Sequence, residues 1–271
     1  MPDLHAAALD HAFVIRAPDP LAGVISEALA AMLTRSEPAG DASQIEIRPA
    51  ADGRWVMRVD RDESRPMMPA RTVAHLLEHL NARAADSLVR EVPLHAAAVA
   101  HPAGGVVALA GSSGSGKSTL GAASVLAGWG FVAEEVAAVR VDDRSVRPFH
   151  RPIGLRAGGA AAIGVPVPTE EWFDEVYPWP VPADSRRTTG TLAGIALVSR
   201  TDGEPTVDEV RPARALVELV EHTVVPSEDR IVPVFRRLDE LIRSVPVVRL
   251  AVAGPATAVR QLDELVSGWR S

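Results

Sequence analysis

Between residues 111 and 119 the chain runs Gly-Ser-Ser-Gly-Ser-Gly-Lys-Ser-Thr, which satisfies G-x-x-x-x-G-K-[ST] without a mismatch. The chemistry of such a run is the holding of a polyphosphate. Small residues at Gly111, Ser112, Ser113, Gly114, Ser115 and Gly116 let the backbone wrap an anion with its N–H groups turned inward. A helix that follows presents its positive end to the same anion. In this arrangement Lys117 reaches the β- and γ-phosphates and the Ser118 hydroxyl ligates Mg²⁺, with Thr119 beside it. A Gly/Ser loop that happens to contain a lysine is the alternative. The context weighs against it: a continuous apolar run, Val106 to Ala110, leads in, and a helix from about Lys117 to Ala127 leads out.

A P-loop alone does not say what becomes of the phosphate. Glu134 stands 17 positions beyond Lys117, with Glu135 next to it, room for one helix, a glycine turn at "GWG" and a short strand. A strand that returns at once brings its end beside the cradle. One carboxylate there holds the metal that neutralises the transferring phosphoryl group, and another accepts the proton of an attacking hydroxyl. Adjacent strand residues point to opposite faces, so the expectation is that one of the two faces the phosphates directly. The alternative is a pair of solvated surface glutamates.

The rest of the composition narrows the field. The chain has 271 residues, no cysteine and a formal charge of -7. Disulfides, thiolate metal sites and cysteine nucleophiles are excluded. An acidic chain without a basic stripe argues against nucleic acid as a partner. No run of roughly 20 clean apolar residues offers a membrane span. The first twenty residues lack the basic start and apolar stretch of a secretory signal. A soluble cytoplasmic protein is expected.

The elements that must position this chemistry follow from periodicity. "AFVIRA" (12–17) alternates as a strand, and residues 19–35 carry apolar side chains at helical spacing. "SQIEIRPA" and "RWVMRVD" flank "ADG" as a hairpin, and Val73, Leu76, Leu77 and Leu80 form the stripe of a second helix. Residues 1–90 thus read as a small α+β unit, and 91–271 as an α/β P-loop domain. In the latter "LHAAAVAHPAGGVVALAG" gives two strands, "FVAEEVAAVRV" the next and "TLAGIALVS" another. A helix from Pro212, one over about 229–243, the strand "VPVVRLAV" and a helix over 256–266 complete it. His75 and His79 are four apart on a helix, formally metal-ligand spacing, but no H-E-x-x-H pattern accompanies them and a surface helix face is expected. The aromatic stretch "EWFDEVYPWPVP" reads as a loop packed on the core or on another subunit, with a flap over the phosphates as the functional alternative.

The order "LHAAAV", strand, "GSSGSGKST", helix, "GWGFVAEEVAAV" and "FHRPIGLR" resembles the catalytic domain of HPr kinase/phosphorylase and its relatives. These belong to the phosphoenolpyruvate-carboxykinase-like group of P-loop proteins. The look is nearest to the HPr-kinase-related proteins of bacterial gene clusters, among them kinases of lasso-peptide precursors. The resemblance covers roughly residues 92–266. It implies a PEP-carboxykinase-like fold, a mixed central sheet with flanking helices, preceded by the small α+β domain. It implies ATP and Mg²⁺ as cofactors, and as acceptor a serine of a peptide or protein or a small-molecule alcohol. Residue by residue it implies His95 near the reacting phosphate, Gly111 to Thr119 as the nucleotide cradle, and Glu134 and Glu135 as the acidic pair. Lys117 is then catalytic, and Ser118 and Glu135 are the metal ligands. Arg187, or Arg186 beside it, is implied as a phosphate contact. HPr kinase is a hexamer, so self-association is implied too. Glu134 departs from the aspartate usual there, which leaves two readings: an active kinase, or an ATP-binding module that recruits a partner.

Overall fold

The computed structural model describes residues 3–36, 38, 40–167, 175–225 and 227–269. The chain begins with β1 (Leu4–Ala8), β2 (His11–Arg16), α1 (Leu21–Ala28), β3 (Ser43–Pro49), β4 (Trp55–Val59), β5 (Asp62–Glu63) and α2 (Pro69–Asp86). The five strands form one sheet in the order β1-β2-β3-β4-β5, with α2 packed across it. The apolar side of α2 is the predicted stripe: Val73, Leu76, Leu77 and Leu80 are buried. The helix expected over 19–35 stops at Ala28. Beyond it the chain bonds to the edge of β1, with Ala7 N–H donating to Met32 C=O and Thr34 N–H to His5 C=O. An open sheet edge satisfies that backbone as well as another helical turn would.

There follow β6 (Glu91–Leu94), β7 (Ala96–Ala100), β8 (Val106–Ala110), α3 (Lys117–Leu126), β9 (Gly130–Ala133), β10 (Ala137–Arg140), β11 (Val146–Arg147), β12 (Ile153–Arg156), α4 (Ala157–Ala162) and β13 (Val176–Trp179). The chain ends with β14 (Leu192–Arg200), β15 (Thr206–Glu209), α5 (Pro212–Val220), α6 (Ile231–Ser244), β16 (Val247–Val252) and α7 (Pro255–Trp269). The central sheet runs β15-β16-β14-β8-β7-β9, with β8, β14 and β16 parallel and β7, β9 and β15 antiparallel to their neighbours. The architecture is mixed α/β.

The strand β8 shows why the sheet is covered on both faces. Its side chains alternate, Val107 and Leu109 joining the cluster under α3 and α7, and Val106, Ala108 and Ala110 the cluster under α5 and α6. All five are fully buried. Burying Leu109 alone contributes about 2 kcal/mol. The second cluster does not stop at the central sheet; it continues through Leu94 and Val92 into Leu80, Ile45 and Phe13 of the leading region.

One expectation fails usefully. "FVAEEVAAVRV" is not a single strand: β9 belongs to the central sheet, β10 pairs with β6 and β11 in another, and the break falls on Glu134 and Glu135. The strand must leave one sheet for the next, and it does so through a turn closed by Val136 N–H to Glu134 C=O at 2.8 Å, with Glu135 at φ 66°.

Candidate active site

The carboxyl ends of the parallel strands β8 and β14 open on the same side, the usual crevice of such sheets. The loop from Gly111 lies there. Its turn is tight: a Cβ at Gly111 would stand 2.5 Å from the carbonyl oxygen of Val198 on β14, so only glycine fits. Gly116 takes φ 98° and starts α3, whose first-turn N–H groups have no acceptor within the helix. A cleft of about 400 Å³ faces them, lined by Ser113, Gly114, Gly116, Lys117, Ser118 and Thr119 from this loop and helix. Gly111, Ser112 and Ser115 shape the loop without lining the cleft.

Lys117 is only 8% exposed, yet it forms no ion pair or side-chain hydrogen bond among the described residues. Its charge lowers the pKa of both Glu134 and Glu135, and with no direct partner its ammonium is open to an anion that enters the cleft.

Opposite stand the two glutamates, and the turn gives them different partners. Glu134 is 1% exposed; its Oε1 accepts the Ser118 hydroxyl at 2.7 Å while its Oε2 is buried without a donor among the described residues. Burial, then the charge of Glu135, pushes its pKa up to about 7 against the Ser118 bond. Glu135 lines the cleft and lies 3.1 Å from His95 Nδ1 through its Oε2. Burial pushes this carboxyl up as well, but the His95 hydrogen bond and the Arg151, His95 and Lys117 charges outweigh it and hold it at about 2. His95 itself is anchored by its backbone N–H, which donates to His222 C=O at 2.7 Å. On a regular strand one glutamate would have faced away. The turn at Glu135 is what brings both to one place.

The oxygen set of Ser118, Glu134 and Glu135 suits a hard divalent cation. Among the described residues no three His, Cys, Asp or Glu side chains are grouped to hold a metal by themselves. Mg²⁺ is commonly held by one or two carboxylates together with substrate phosphates. The unpartnered Glu134 Oε2 is a free ligand of the right kind. Sequence alone paired Ser118 with Glu135; in the structure the hydroxyl meets Glu134.

The cations also differ from expectation. Arg187 is not in the cleft: its guanidinium donates to the carbonyls of Asp184 and Arg186, and Arg186 donates to that of Val181, so both hold the 181–187 turn. Arg151, Arg156 and Arg200 line the cleft instead. Arg151 is 7% exposed and its Nε has no acceptor among the described residues. "FHRPIGLR" contains the first two, and the strand "TLAGIALVSR" ends on the third. The sheet order would have pointed to Arg200, since β14 lies beside the P-loop strand.

Two further expectations can be placed. His79 packs edge-on against Phe13 with its Nε2 buried, while His75 lies 3.5 Å from Glu78, so the histidine pair is not a common metal site. Of the aromatic stretch, residues 168–174 lie outside the described residues; its later part forms β13, which pairs with β12 and brings Val176 to the cleft. Among the described residues no helix is long and apolar enough to cross a membrane.

No family model matches the chain, and no curated protein matches it. Among solved structures it is similar to the Hpr(Ser) kinase/phosphatase from Coxiella burnetii, at 12% identity and a TM-score of 0.37, over 66% of this chain and 94% of that one.

Proposed function

We propose that the chain is a kinase that passes the γ-phosphate of ATP to a hydroxyl, on a PEP-carboxykinase-like P-loop domain at 91–271 behind a small α+β domain at 1–90. The acceptor is a serine of a peptide or protein, or a small-molecule alcohol. One observation carries the reading: a largely buried Lys117 at a helix start lines a polar cleft together with Glu135, and the buried Glu134 accepts the hydroxyl of the cleft-lining Ser118. Lys117 and the first amides of α3 bind the phosphates, and Arg156 and Arg200 add positive charge at the same wall. Ser118 and Glu134 would hold Mg²⁺, which when bound neutralises charge on the phosphoryl oxygens. Glu135, ionised and oriented by His95, takes the proton of the acceptor hydroxyl. Arg151 lies close enough to lower both carboxyl pKa values and sits where negative charge collects.

Measuring phosphate transfer from labelled ATP tests this. Glu135→Gln keeps ATP binding and loses transfer; full turnover in that variant removes Glu135 from the mechanism.

A second reading draws on Glu134. It is longer than the aspartate that the resembled kinases carry, and its burial favours the neutral form near neutrality. The chain would then bind ATP to order a partner-binding surface without transfer. A phosphorylated product from any peptide or alcohol excludes that reading.

A further inference from the structure

A second cavity, of about 430 Å³, opens beside the first. The two share a wall made of Glu135, Arg151, Gly154 and Val176. The far wall is α2, which takes no part in the phosphate cleft. Ala70, Ala74, Leu77 and Asn81 follow one another at i, i+4, i+7 and i+11, so they form one stripe facing the space. The two alanines keep it open, Leu77 gives it an apolar floor, and Asn81 contributes a buried side-chain oxygen that has no hydrogen-bond donor among the described residues. Arg71 and Glu78 at its edge are bonded to each other at 2.9 and 3.0 Å.

We propose that this cavity is the acceptor site, that the stripe of α2 is its specificity element, and that it takes a polypeptide segment presenting a serine or threonine hydroxyl. The inference rests on the kinase reading above. Phosphoryl transfer needs donor and acceptor on opposite sides of the moving group. The two cavities meet at the base, Glu135, which gives that disposition. The acceptor oxygen forms its bond to the γ-phosphorus while the bond from that phosphorus to the β,γ-bridging oxygen breaks. ADP keeps the electron pair, and the hydroxyl proton passes to Glu135. The lining selects the polypeptide. The volume falls in the usual range for ligands much larger than one serine side chain. A peptide backbone offers an N–H for Asn81 at every residue and an apolar neighbour for Leu77. A small polyol leaves Leu77 uncovered.

The test uses the full chain, radiolabelled ATP, a library of serine- and threonine-containing peptides, and a parallel panel of small alcohols. Ala74→Trp fills the cavity and Ala74→Ser keeps it open. The expected result is peptide labelling by the wild type and Ala74→Ser, and labelling reduced at least about tenfold in Ala74→Trp, with calorimetric ATP affinity equal in all three. Undiminished peptide labelling by Ala74→Trp overturns the inference and leaves the kinase standing. Labelling of alcohols alone overturns the polypeptide assignment. A wild type that binds ATP and labels nothing removes the kinase reading and this inference with it. If Ala74→Trp loses ATP affinity through misfolding, Asn81→Leu is judged by the same two outcomes.

Discussion

The leading region and the cleft handle charge in opposite ways. On the five-stranded sheet and α2, Arg16 pairs with Asp3, Arg48 with Glu63, Arg58 with Glu46 and Arg71 with Glu78, all at exposed positions. At the cleft, Lys117, Arg151 and the adjoining Glu134 are buried; among the described residues Lys117 lacks an ion pair, and Glu134 Oε2 and Arg151 Nε lack partners. An exposed pair satisfies itself and contributes little, since water competes for both groups. Buried charges without partners lower stability, and a ligand of opposite demand restores it. The same residue types therefore mean solubility in one place and binding in the other.

The largest effect that would sharpen this contrast is at Lys117. Lys117→Met should weaken ATP binding by at least about 100-fold, as read by calorimetry, because a charge-assisted contact in a desolvated site is removed. Next comes Glu135→Gln. Transfer should fall about 10²- to 10⁴-fold, the range of a lost general base, with ATP affinity retained.

Glu134→Gln has a double outcome. Its folded pKa, about 7, lies above the ordinary 4.5. A raised carboxyl pKa contributes stability that is complete below the ordinary value and lost as pH rises through the folded one. At alkaline pH the wild type has lost that contribution, while a neutral glutamine has not. The nucleotide-free variant should therefore melt higher than wild type at pH above 7, by on the order of 1–3 kcal/mol, with little difference at acid pH. Equal melting at all pH values would put Glu134 among the ordinary surface carboxylates.

The smallest effects belong to the leading region. Arg48→Ala, which breaks an exposed pair, should change stability by no more than about 1 kcal/mol in denaturant melts. His11 and His79 both sit below their ordinary 6.5, chiefly through burial. Their contribution is present above 6.5 and is lost as pH falls through the lowered folded values. Thermal melts should show stability declining on acidification below that point, and His79→Leu should flatten the decline.

Much of the cleft was legible because its chemistry is local. Nine consecutive residues make the cradle, and the apolar run into it can only be a covered strand. Glu134 and Glu135 were found by distance along the chain, but their partners were not. Those depend on the chain leaving the central sheet after β9 so that β10 can pair with β6, which no periodicity announces. Arg151 and Arg156 flank β12 while Arg200 ends β14, so only the topology unites them. Arg187 was misplaced for the converse reason: a basic residue before a strand carries no sign that a local turn will engage its guanidinium. β1, the alanine-rich "LHAAA", has no alternation to read and is recognised only from its pairing with β2.

A crystal structure with Mg²⁺ and a non-hydrolysable ATP analogue bears most directly on the phosphoryl-transfer account. It should show the γ-phosphate bonded to Lys117 Nζ, the metal held between Ser118 Oγ and Glu134, and Glu135 facing the open side toward α2. A triphosphate bound away from Lys117, or a metal that leaves both glutamates untouched, contradicts it.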